Sequence, residues 1–184
     1  SDEEHPCQAL ADLLTVLERF GKLRGVRLAF VGDGFNVAVS LAEACALTGV
    51  QFTIASPEGY GIPEPTLRLI ERICADTGGT IETHVAPADA IRGADVVYTD
   101  VWASMGQEAE EAQRRRDFAD YQVNGKLMAA AGPTARFMHC LPAKRGEEVT
   151  DEVMDSPYSI IVEQAANRMH VQKGVLAWLL GAQG

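Results

Sequence analysis

Residues 26–36 read Val-Arg-Leu-Ala-Phe-Val-Gly-Asp-Gly-Phe-Asn. A run this rich in branched and aromatic side chains suits a strand covered on both faces. Gly32 and Gly34 then supply the tight turn that sends a strand into a helix. The unit recurs in outline. Further β-rich runs stand at 51–55, 80–83, 96–99, 136–139 and 159–162. Helical patterns fall between most of them, at about 37–48, 65–77, 87–92 and 107–131, the last with a break near Asn124. Alternation of this kind predicts an α/β fold: a doubly wound, mostly parallel, Rossmann-like sheet of about five strands with helices on both faces.

Outward from this centre, both ends of the chain read as helices. His5 caps the first, with Pro6 at its first position, where the missing N–H costs nothing. Leu10, Leu13, Leu14 and Leu17 follow at helical spacing, an apolar stripe. The last helix, about 165–180, carries Val171, Val175, Leu176, Trp178, Leu179 and Leu180. It is apolar almost all round toward its end and needs cover on more than one side.

Composition narrows the function classes. With 47% hydrophobic and 23% charged residues the chain is an ordinary globular one, not a disordered one. Its 26 acids against 16 bases leave a net charge of −10, which argues against a nucleic-acid partner. No uncharged apolar stretch reaches the roughly 18 residues of a membrane span. No secretory leader is visible, and the four cysteines form no C-x-x-C pair, so reduced thiols in a cytoplasmic protein are expected.

Open α/β sheets bind ligands beyond the carboxyl ends of their strands. Four polar groups fall there: Gly32-Asp33-Gly34-Phe35-Asn36, Asp100 to Gly106, His139-Cys140-Leu141-Pro142 and Asn167-Arg168-Met169-His170. Gly32-x-Gly34 matches only part of a dinucleotide loop, since Val37 stands at the third glycine's place, so no cofactor is assigned. Asn36 reads as a helix start or cap. Asp100, beside the Ser104-Met105-Gly106 loop, suits a ligand carrying an ammonium group. Cys140 follows His139 directly, and neighbours on a strand point to opposite faces, so no Cys–His dyad is expected. Pro142 is expected to hold Leu141 extended, freeing backbone carbonyls for a ligand. Arg168, at a strand end, suits an anion or a carbonyl oxygen. Arg114-Arg115-Arg116 reads as a solvated helix face with Glu110–Arg114 and Glu111–Arg115 pairs. His84 and His170 lack metal-ligand spacing, and no metal is assigned.

Five segments together resemble the ornithine branch of the aspartate/ornithine carbamoyltransferase family. They are His5-Pro6-Cys7-Gln8 leading into Leu10-Ala11-Asp12, Val31-Gly32-Asp33-Gly34, Asp100-x-Trp102-x-Ser104-Met105-Gly106, Phe137-Met138-His139-Cys140-Leu141-Pro142 and Asn167-Arg168-Met169-His170. The resemblance implies transfer of a carbamoyl group from carbamoyl phosphate to the δ-amine of L-ornithine, giving L-citrulline and phosphate. It places carbamoyl-phosphate contacts on His5, Pro6, Cys7, Gln8, Cys140, Leu141 and Arg168. Ornithine contacts fall on Asn36, Asp100, Ser104 and Met105. Catalytic roles fall on Cys140, Arg168 and His5.

The same resemblance implies a division into a connecting helix (1–22), an ornithine-binding domain (23–163) and a C-terminal helix (164–184) that returns toward a missing N-terminal domain. A homo-trimer built through that domain is implied for the full-length protein. Two positions depart from the family pattern: Phe35 replaces an asparagine, and Ala166 replaces a glutamate expected to steady Arg168. The family's Ser-Thr-Arg-Thr-Arg phosphate loop does not occur in these 184 residues, so the chain by itself is expected to be inactive. Two rival readings are a carbamoyltransferase for a modified ornithine and a non-catalytic amino-acid-binding domain.

Overall fold

The computed structural model describes residues 1, 3–104 and 106–181. Five strands, β1 (Arg27–Val31), β2 (Gln51–Ala55), β3 (Thr80–His84), β4 (Val96–Thr99) and β5 (Arg136–His139), form one sheet in the order β3-β2-β1-β4-β5. Every pairing is parallel, with Phe30 opposite Ile54 on one side and Tyr98 on the other. The eight helices are α1 (Pro6–Phe20), α2 (Asn36–Thr48), α3 (Glu64–Thr77), α4 (Pro87–Ala90), α5 (Glu111–Asp117), α6 (Gly125–Ala131), α7 (Asp151–Met154) and α8 (Ile161–Leu179). The doubly wound sheet expected from the sequence is the one observed.

Strand alternation sorts the core into two layers. Leu28, Phe30, Val96, Tyr98 and Met138 point to one face, where α1, α2 and α3 cover them. Ala29, Val31, Val97 and Phe137 point to the other, beneath α4, α5, α6 and α7. Phe30 and Tyr98 stack at 5.4 Å across adjacent strands. The turn after β1 admits no side chain at Gly34: a Cβ there would lie 2.2 Å from the Ile62 backbone nitrogen. Asn124 caps α6, its side chain accepting the Leu127 N–H at 3.0 Å, and this is the helical break read from the sequence.

Three expectations are corrected. The run at 159–162 is not a sixth strand. It makes a single bridge, Ser159 to Phe137, and α8 starts at Ile161. The apolar stripe on α1 is divided. Leu13 is buried, but Leu10 and Leu17 are exposed, because the face turned inward runs through Gln8, Asp12, Thr15 and Val16. Arg114 is no solvated residue. Its guanidinium is buried against Asp33, donates to the Trp102 carbonyl at 3.0 Å and lies 5.0 Å over the Tyr60 ring. Asp33, at the turn after β1, is nearly enclosed, and a buried carboxylate needs such a partner. Arg115 and Arg116 are exposed as expected. Finally, α8 does not receive cover on more than one side. Its buried residues are the polar Gln164 and Asn167, while Leu176, Trp178 and Leu180 are 59%, 75% and 85% exposed.

Apolar surface of this kind is expected to be adhesive. The 184-residue chain should bind an apolar-surface dye and scatter light as more than a monomer. Replacing Trp178 and Leu180 by lysine should reduce both signals and change unfolding stability by no more than about 0.5 kcal/mol, the scale of exposed substitutions. A clean, dye-silent monomer before substitution would contradict this.

Candidate functional site

β1 pairs with β2 on one side and β4 on the other, so the chain changes winding direction beside β1. The crevice outside the strand ends at such a switch point is where open α/β sheets take small ligands. Asp100 leaves the end of β4 and Cys140 the end of β5. α1 and α8 bring the remaining groups. His5 caps α1 and is tied to α2, its N–H donating to Ser40 Oγ at 2.8 Å. Arg168, on α8, donates to the side-chain oxygen of Gln8 on α1.

These residues feel one another. Burial, and then the Arg168 guanidinium, hold the His5 imidazole below its usual value, with Asp100 opposing. His5 is therefore a neutral ring beside a fixed cation. Burial, and then Asp100, push the Cys140 thiol well up, and its sulfur lies within 4.8 Å of an Asp100 carboxylate oxygen. A thiol kept protonated serves as a hydrogen-bond donor rather than a nucleophile. The absence of a Cys–His dyad has a different cause from the one expected. The side chains are not far apart: ligand atoms of Asp100, His139 and Cys140 all lie within 4.8 Å. His139 is unavailable because both ring nitrogens are engaged. Nδ1 accepts the Leu141 N–H at 2.9 Å, which leaves the ring proton on Nε2, 3.2 Å from Glu148 Oε1. The same engagement denies a metal ion the third ligand of this trio.

The Leu141 contact also corrects the backbone reading. Leu141 is not extended; its φ is 61°, and its N–H turns back onto His139. Pro6 is exposed and Cys7 half-buried in the first turn of α1. Asn36 is the first residue of α2 rather than its cap, which is Phe35, and its amide donates to the Ser1 carbonyl at 2.8 Å. Ser104 closes a turn with Gln107, whose Oε1 accepts the Ser104 N–H at 2.9 Å. Gln107 also hydrogen-bonds Asp33, so this turn is pinned to the loop after β1. Met105 lies outside the described residues. The support missing at Ala166 is taken over by Gln8, and Arg168 Nε is buried with no protein partner. One guanidinium donor is thus left for a ligand.

Comparison with known proteins identifies the family. The family model described as aspartate/ornithine carbamoyltransferase, Asp/Orn binding domain, matches residues 24–179. The chain belongs to this family. Ornithine carbamoyltransferase of Symbiobacterium thermophilum is 53% identical over 98% of the chain, and that of Acidothermus cellulolyticus 54% over its whole length. The solved ornithine carbamoyltransferase of Pyrococcus furiosus superposes with a TM-score of 0.95 at 51% identity, covering all of this chain and 59% of that one. The chain spans 58% and 59% of the length of the two curated relatives.

In this carbamoyltransferase-family domain, sequence reasoning gave Asp12, Tyr98, Gln164 and Glu148 no role at the site. Asp12 carried a signal: a carboxylate on the inward face of α1, one turn after Gln8. Asp12 is fully buried, and Gln8 Nε2 and Gln164 Nε2 each donate to its Oδ1 at 2.7 Å, while the Tyr98 hydroxyl donates to Oδ2 at 3.0 Å. Burial nevertheless pushes its carboxyl up to about 7, against the pull of these three donors and of Arg168.

From about pH 4 to pH 7 the folded chain therefore holds a proton that the unfolded chain releases. Stability contributed by Asp12 falls as pH rises through that window. Urea unfolding at pH 5 and pH 8 should show wild type losing more stability with rising pH than Asp12→Asn. Equal losses would show that Asp12 ionises in the folded state as it does in water.

Proposed function

We propose that this chain forms the ornithine-binding half of an enzyme that carbamoylates the δ-amine of L-ornithine with carbamoyl phosphate, yielding L-citrulline and phosphate. The observation that carries the reading is the meeting of His5, Gln8 and Arg168 with Asp100 and Cys140 at one switch point. His5 and Arg168 are donors suited to a carbamoyl oxygen, and Gln8 holds Arg168 in place. Asp100 is a carboxylate suited to an ammonium group. In the reaction, the neutral δ-amine attacks the carbamoyl carbon. A C–N bond forms, the C–O bond to phosphate breaks with its electron pair leaving on phosphate, and the departing phosphate carries off the proton that the amine nitrogen sheds. Charge that gathers on the carbamoyl oxygen is met by the neutral His5 ring and by Arg168. Asp100 and the Cys140 S–H hold the amino acid in line for attack.

A phosphate-binding half must complete the site. These residues contain no Ser-x-Arg-Thr-Arg loop to neutralise a dianion with guanidinium forks and backbone N–H groups. Work in the cytoplasm and assembly as a trimer through that half belong to the same reading.

Asp100→Asn should weaken ornithine binding by about 1.5–3 kcal/mol, the scale of a hydrogen bond to a charged group. Calorimetry with unchanged affinity would remove Asp100 from the site. The 184-residue chain alone, given saturating ornithine and carbamoyl phosphate, should make no measurable citrulline. Holding both reactants together accounts for about 7–11 kcal/mol of barrier, and one of them has no anchor here. Turnover abolished by Arg168→Ala would show that the chain is sufficient.

A further inference from the structure

Asp12 is the one fully buried acid that three donors from three elements share: Gln8 on its own helix, Gln164 on α8 and Tyr98 on β4. The arrangement is directional. Gln8 spends its Nε2 on Asp12, so its oxygen is turned toward Arg168 and accepts from it. With its amide reversed, Gln8 would set an NH2 group against the guanidinium, two donors with nothing to share. Tyr98 spends its hydroxyl proton on Asp12, although the same oxygen lies in contact with Cys140. Gln164 stiffens the centre: its Nε2 also reaches Tyr98 Oη at 3.1 Å, and its Oε1 accepts the His139 N–H at 2.9 Å. The charged or titratable groups that face Asp12 are Arg168 from α8, Tyr98 from β4, Cys45 from α2 and Cys140 after β5.

We propose that Asp12 is a positioning residue that aligns the Gln8–Arg168 pair and the Cys140–Asp100 pair together, so that one buried carboxylate sets both the carbamoyl end and the amino-acid end of the site. The proposal rests on the ornithine reading above. Its physical content is a proton rearrangement. Ionised Asp12 accepts from Tyr98. A neutral group of the same shape donates to Tyr98 Oη instead, and Tyr98 then turns its proton to the Cys140 sulfur. That directs the Cys140 S–H to the Asp100 carboxylate within 4.8 Å of it, where it competes with the ammonium group. Polar networks of this kind are apportioned only by double-mutant cycles.

The test uses the 184-residue chain, with Asp12→Asn, Tyr98→Phe and the double variant, each shown to be folded by urea unfolding. Calorimetry at pH 8 reads ornithine affinity. Asp12→Asn should weaken it roughly tenfold, Tyr98→Phe alone should leave it within about twofold, and adding Tyr98→Phe to Asp12→Asn should restore it, because without the hydroxyl no proton reaches Cys140. Nitrogen-15 spectra without ligand give an independent reading. The Gln8 amide and Arg168 Nε–H signals should move in Tyr98→Phe, which touches neither residue, and should not move further when Tyr98→Phe is added to Asp12→Asn. Unchanged affinity in folded Asp12→Asn, or a double variant as weak as Asp12→Asn, would overturn the proposal and leave the ornithine reading standing. A wild-type chain that binds no ornithine would overturn the ornithine reading instead. The nitrogen-15 signals then decide: transmission from Tyr98 to Arg168 through Asp12 supports the positioning role, and its absence ends it.

Discussion

All five strands run in one direction, and that constraint places everything else. A parallel link must cross a face of the sheet before it can return. Connections leaving β1 toward β2 and β3 cross one face, and those leading to β4 and β5 lie on the other. Two sets of loops therefore part company beside β1, and they leave a crevice. Residues as distant in sequence as 5, 8, 100, 140 and 168 reach it only because of this winding. Strand alternation then decides what each residue faces. Tyr98 points to the α1 side, so its hydroxyl meets Asp12; Val97, its neighbour, packs beneath α4 to α7.

The contact between α1 and α8 inverts the usual order of a helix pair. The two buried residues of α8 are polar, and both are partnered. Gln164 reaches Asp12, and Asn167 donates to Thr15 Oγ1 at 3.0 Å and to Glu18 at 2.8 Å. Buried amides are tolerable only with such partners, and partners fix one geometry where apolar packing admits several. Arg168 gains a defined position from this geometry. The apolar residues of α8 collect at its outer end, on surface that this chain leaves open. Contiguous apolar surface of this kind usually marks a contact.

Electrostatics at the site follow from burial more than from formal charge. The chain is strongly acidic, yet the groups that matter are the ones water has left. His5 is kept neutral, Cys140 is kept protonated, and Asp12 is raised toward neutrality. Arg114 shows the opposite balance. It is buried because Asp33 is, and removing either member of a buried pair costs about 3–5 kcal/mol. The turn after β1 is thereby locked to α5, and Gln107 extends the lock to the turn at Ser104.

Periodicity along the chain determined the strands, the helices and the glycine turn after β1, because those depend on neighbours within a few residues. It also determined which residues stand at strand ends, and with them Asp100 and Cys140; Arg168, read at the end of a strand that does not form, lies inside α8 instead. Periodicity failed wherever a distant partner decided the outcome. Residues 159–162 look like a strand, but the site beside β5 accepts only the bridge at Ser159 before α8 begins. Periodicity marks Leu10 and Leu17 as one apolar stripe with Leu13, but only Leu13 turns inward, because the inward face of α1 runs through Gln8 and Asp12. Arg114 looks solvated, but Asp33, 81 positions away, draws it in. The sequence lists the chemical groups and the local conformations that carry them. Which buried donor meets which buried acceptor is settled only when the sheet closes, because hydrogen bonds and desolvation act across space and take no account of separation along the chain.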